Sequence, residues 1–99
     1  MRHWFFTIQR APKRATIADA DALPVLHAHT AYFKQLGQEG KCLMAGPFVK
    51  QQDNELGAGC YVLAAESEAE ARQMAEVDPL VAEGLYSYKI WEWTKVVPE

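Results

Sequence analysis

Apolar and polar positions alternate over the first ten residues, where His-Trp-Phe-Phe-Thr-Ile-Gln-Arg (3–10) is rich in aromatic and β-branched side chains. Period two places Trp4, Phe6 and Ile8 on one face of a first strand. Ala11 to Asp21 contains Pro12 and the basic pair Lys13-Arg14 and reads as a loop. The pattern then changes to helical spacing, with Leu26, Thr30, Phe33 and Leu36 on one side and Lys34, Gln35 and Gln38 elsewhere on the wheel. Asp19 or Asp21 is the expected cap, Pro24 falls in the first turn, and Gly37 and Gly40 stop the helix near Gln38.

A second strand is expected over Lys41–Phe48, closed by Gly46-Pro47, then a polar loop over 50–57 and a third strand over Gly57–Ala65. Ser67-Glu68-Ala69-Glu70 has the form of a capping box, so a second helix begins there. It ends near Val77, because a residue before proline disfavours helical angles. Asp78-Pro79 opens a short extra turn that Gly84 closes. A last strand runs from Tyr86 to Val97, and a slip of its apolar phase between Ile90 and Trp91 predicts a bulge. The order β-α-β-β-α-β predicts a ferredoxin-like α+β domain spanning residues 1–99.

Composition adds one constraint to this picture. The chain has 99 residues, 49% of them hydrophobic, with three Trp, four Tyr and four Phe. That is more large apolar surface than a single small core absorbs, and the sheet has helices on one face only. The other face, also aromatic, is expected to be covered by a second copy, giving a homodimer or higher assembly built as a dimeric α+β barrel.

A formal charge of -3 excludes broad nucleic-acid binding, which needs clustered cations on phosphates. No apolar run reaches the length of a membrane span, and Gln9 and Arg10 interrupt the opening apolar run short of a signal peptide. The expected location is the cytosol. Cys42 and Cys60 lack C-x-x-C spacing and are read as reduced thiols on strands, so no metal and no cofactor are expected.

The candidate chemistry lies in two residues. His27 and His29 form an H-x-H pair, but on a helix they point about 200° apart and do not share a metal ion. His29 falls beside Leu26, Phe33 and Leu36 on the apolar face, whereas His27 points away from it. Asp78, before Pro79, is an N-cap candidate whose second oxygen remains free for a histidine. A carboxylate so placed fixes the imidazole tautomer and stabilises the imidazolium, the orienting role acids play beside general bases. No phosphate loop, nucleotide fingerprint or Ser-His-Asp pattern is present.

Several blocks together resemble the YciI-like proteins. They are His29-Thr30-Ala31-Tyr32-Phe33, Leu36, Gly40-Lys41 and Leu43-Met44-Ala45-Gly46-Pro47, then Ser67 to Ala71, and Asp78-Pro79 through Gly84-Leu85 to Trp93. The resemblance implies a dimeric α+β barrel related to muconolactone isomerases. It also implies an active-site cleft whose His and Asp fall on His29 and Asp78, with Tyr32, Phe33, Met44, Gly46 and Pro47 expected to contact a small-molecule substrate. A relative in chlorinated-aromatic breakdown is a dehydrochlorinase, so the implied chemistry is proton transfer on a small cyclic or aromatic-derived compound. The alternative is a binding or accessory domain using the same cleft. One departure is that an Arg often stands three residues before the His, where this chain has Leu26.

Overall fold

The structure, a computed structural model, describes residues 1–51 and 54–99. The element order is β1 (Arg2–Arg10), a 3-10 turn (Pro12–Thr16), α1 (Asp19–Gln38), β2 (Cys42–Pro47), β3 (Gly59–Ala65), α2 (Glu68–Val77), α3 (Pro79–Ala82) and β4 (Tyr86–Trp93). The polar loop expected over 50–57 includes residues 52 and 53, which lie outside the described residues. The strands form one antiparallel sheet in the order β2-β3-β1-β4, the ferredoxin-like arrangement. Among the described residues, no helix is long and apolar enough to cross a membrane.

Alternation along the strands decides which side chains meet the helices. Trp4, Phe6 and Ile8 of β1 and Tyr61, Leu63 and Ala65 of β3 are buried together with Phe33 and Leu36 of α1. Ala71 and Ala75 of α2 and Leu80 of α3 close the core from the other side. The Trp4 indole N–H donates to the Ala65 carbonyl at 3.2 Å, so its one polar atom is satisfied inside the core. Phe6 and Tyr61 stack at 4.7 Å between ring centroids.

The opposite face carries His3, Phe5, Trp91 and Trp93, joined by ring contacts of 6.3 Å (His3–Trp93) and 6.2 Å (Phe5–Trp91). Trp91 is 49% and Trp93 39% exposed in the single chain, so this face is partly wet. These residues also correct the expected bulge. β4 pairs with β1 without a break through Ile90 and Trp91. Tyr86, Tyr88 and Ile90 are apolar toward the helices and Trp91 and Trp93 toward the open face, so a strand apolar on both sides imitates a phase slip. The irregularity lies in β2 instead, between Cys42 and Met44. It lets Cys42 and Ala45, an odd number of positions apart, both oppose core-facing residues, Leu63 and Tyr61.

The start of α1 also differs from the expectation. The N-cap is Ala18, with no side-chain cap, and Asp19 and Asp21 lie inside the first turn, where their charge suits the helix dipole. Pro24 sits one turn further in, inside the helix. The other end is as anticipated in outline. Gly40 adopts φ 75°, and the Lys41 and Gly40 N–H groups bond to the Leu36 and Gly37 carbonyls at 2.8 and 3.1 Å, a Schellman stop. β4 ends at Trp93, short of the expected Val97.

Candidate active site

His29 and Asp78, 49 positions apart, meet where α1 passes the junction of α2 and α3. The Nδ1–H of His29 donates to Asp78 Oδ1 at 2.8 Å. Asp78 is there because Val77 ends α2 before Pro79, and the Asp78 side chain caps the next turn by accepting the Leu80 N–H at 3.1 Å. One oxygen therefore does both jobs. The expectation that the second oxygen would serve the histidine is corrected, since Oδ2 is buried with no hydrogen-bond partner among the described residues.

The geometry fixes the histidine's protonation pattern. Because Oδ1 accepts from Nδ1, the neutral ring carries its hydrogen on Nδ1 and its lone pair on Nε2. The Asp78 side chain is fully buried while the His29 side chain is 18% exposed, so the imidazole stands between the carboxylate and the open space beside α1. Its ring packs on Phe33 at 4.9 Å between centroids. His27 is exposed on the far side of the helix.

That open space is a cavity of about 660 Å³ between α1, β2 and the 3-10 turn. His29 and Phe33 line it from α1, and Met44, Gly46 and Pro47 from β2. These five candidates are thus brought together, and Asp78 lies directly behind His29. Tyr32 is not. One position along a helix is about 100° of rotation, so Phe33 faces the cavity while Tyr32 turns toward α2 and donates its hydroxyl to the Met74 carbonyl at 2.6 Å.

Several lining residues were not anticipated, Leu23, Leu26 and Arg14 among them. Leu23 and Leu26 supply an apolar wall ahead of His29. Arg14, part of the 3-10 turn, is 7% exposed and also lines the cavity. Nothing in the sequence separates it from its solvated neighbour Lys13. Burial raises the Cys42 and Cys60 thiols above their ordinary value, so both are protonated at neutral pH and poor nucleophiles. Burial first, and the Asp78 charge second, push the Tyr61 phenol far up. Its hydroxyl is buried without a partner among the described residues. The arrangement is a shielded, largely apolar cleft with one oriented imidazole able to take up or release a proton.

Protein YciI of Escherichia coli is 39% identical over 71 residues, covering 67% of this chain and 72% of its own. YjpA of Bacillus subtilis is 35% identical over 65 residues, covering 66% and 71%. In three dimensions the chain is similar to 5-chloro-2-hydroxyhydroquinone dehydrochlorinase from Burkholderia phenoliruptrix, solved with 2,5-dihydroxybenzoquinone. The TM-score is 0.66 at 20% identity, over 95% of this chain and 94% of that one, a likeness of fold. The YCII-related domain matches residues 3–94, nearly the whole chain, and the protein belongs to that family.

Proposed function

We propose that the chain is a small-molecule enzyme in which His29 acts as general base or acid, oriented by Asp78, on a cyclic or aromatic-derived substrate held in the cleft. The observation that carries this reading is the 2.8 Å bond from His29 Nδ1 to a buried Asp78 oxygen, which leaves Nε2 as the basic nitrogen beside the cavity. Proton abstraction by Nε2 makes an imidazolium, and the Asp78 carboxylate stabilises that charge. Isomerisation of a lactone suits such a site, and so does loss of HX from a halogenated hydroquinone, in which a proton passes from one hydroxyl to the halogen-bearing ring carbon and removal of the second hydroxyl proton expels halide to leave the quinone. The dehydrochlorinase neighbour supports the second class by likeness of fold.

Binding without chemistry is the second reading. It is favoured by the burial that raises Cys42, Cys60 and Tyr61, which makes each of them a poor second base at neutral pH. Turnover separates the two. A panel of muconolactone-type lactones and chlorinated hydroxyhydroquinones is assayed with the native chain and with His29→Gln. The expected result is turnover of at least one compound and a loss of about 10²- to 10⁴-fold in the variant. Ligand binding with no turnover across the panel supports the binder. We further propose that the chain pairs with a second copy through the open face of the sheet, where Phe5, Trp91 and Trp93 lie.

A further inference from the structure

The charged walls of the cleft differ in sign from the molecule. The chain carries a formal charge of -3. Among the described residues, the charged side chains lining the cleft are Arg10, Arg14 and Lys34 against the single carboxylate of Asp19. The three cations come from three elements, the end of β1, the 3-10 turn and α1, so the local excess is not a run in the sequence. Arg10 and Lys34 are exposed at the rim, whereas Arg14 is buried.

Arg14 is the informative one. A guanidinium taken out of water is costly unless it is paired and hydrogen-bonded. Its Nη1 donates to the Ile17 carbonyl at 3.3 Å and its Nη2 to Asp19 Oδ1 at 2.7 Å. The Asp19 side chain is 92% exposed, so its charge is screened by solvent and compensates the buried cation weakly. Two of the five guanidinium hydrogens are used in these bonds, and a planar carboxylate suits the rest as a two-pronged partner. An ordinary core position would carry an apolar side chain here.

We propose that the cleft binds a small organic carboxylate, with Arg14 holding the anionic end and the apolar walls of Leu23, Leu26 and Phe33 holding the ring or chain. This rests on the reading of the cleft as a small-molecule site and adds the substrate's charge. Asp19 is the resident counter-ion that competes with it.

Benzoate and its neutral isostere benzamide are titrated into the native chain, following the backbone amide NMR spectrum, which also reports folding. Benzoate is expected to bind about tenfold more tightly or better, as one charge-assisted contact would give. Arg14→Met should abolish that preference. Asp19→Asn, at an exposed position, should tighten benzoate several-fold by freeing Arg14, and it decides the matter if Arg14→Met does not fold. Equal binding of the two probes, no benzoate binding at millimolar concentration, a preference that survives Arg14→Met, or an Asp19→Asn chain that binds benzoate no better each overturns the proposal. The readout is equilibrium binding. A chain that selects benzoate yet turns over no compound of the panel refutes the proton-transfer reading alone, and turnover without benzoate preference refutes the carboxylate site alone.

Discussion

Asp78 Oδ1 accepts from both His29 and the Leu80 N–H, and two substitutions separate these duties. In Asp78→Asn a side-chain oxygen still caps α3, but the charge that supports an imidazolium is gone. Asp78→Ala loses the cap as well. Chemical denaturation should therefore find Asp78→Ala less stable than Asp78→Asn by about 1 kcal/mol, while turnover falls in both. Tyr61 gives the converse case. Its hydroxyl has no partner among the described residues, so Tyr61→Phe removes an unpaired polar atom at nearly constant volume. Unfolding should show stability unchanged or raised, by up to about 1 kcal/mol. The pH dependence follows in sign. Burial holds the folded phenol neutral above the ordinary value of 10.0. Its contribution is intact below that pH and is lost as pH climbs past it, when the unfolded chain ionises first. Between pH 9 and pH 11 the native chain should lose more stability than Tyr61→Phe. His29 and Asp78 were legible in the sequence because an apolar-face histidine and an Asp-Pro turn are local patterns. Arg14 was not, because burial of a charge depends on what packs over it.

At the scale of elements, the clearest signals were those in which a residue acts on its own backbone. Ser67 accepts the Glu70 N–H at 3.2 Å and starts α2 as the capping box predicts. Ser67→Ala should cost about 1 kcal/mol in thermal unfolding. Gly84, at φ 73°, ends α3 with the same pair of bonds that Gly40 gives α1, from Leu85 to the Leu80 carbonyl and from Gly84 to Val81, both at 2.9 Å. Gly84→Ala forces a side chain into the left-handed region, and a loss of about 1 kcal/mol is expected by the same measurement. α3 has only four residues, too few to persist alone, so its cap, its glycine and the burial of Leu80 hold Asp78 in place together. Where contacts between elements decide the outcome, sequence reading fell short. Pro24 is tolerated deep in α1 beyond any rule of first turns, and the bulge sits in β2 because Leu63 and Tyr61 both need partners there.

At the scale of the molecule, the sheet's uncovered face argues for a partner. Phe5, Trp91 and Trp93 form an aromatic patch, and isolated soluble chains seldom leave such a patch open. Trp91→Glu alters a side chain half exposed in the single chain, so the fold should survive while association fails. Light scattering at micromolar concentration should give a dimer for the native chain and a monomer for the variant, and a native monomer would remove the pairing model. The order β-α-β-β-α-β was readable from alternation, helical spacing and the Ser67 capping box, whereas the 3-10 turn at Pro12–Thr16 falls in the stretch read as a loop. The strand order has a kinetic consequence. β1 leaves the ribosome first but occupies the middle of the sheet, hydrogen-bonded to β3 and β4. Arg2 and Glu92, ion-paired at 2.8 Å, are 90 positions apart. Closing so long a loop is slow, and until β4 is synthesised the nascent chain carries Trp4, Phe5 and Phe6 on an unpaired strand edge, the condition in which chains recruit holding chaperones or aggregate.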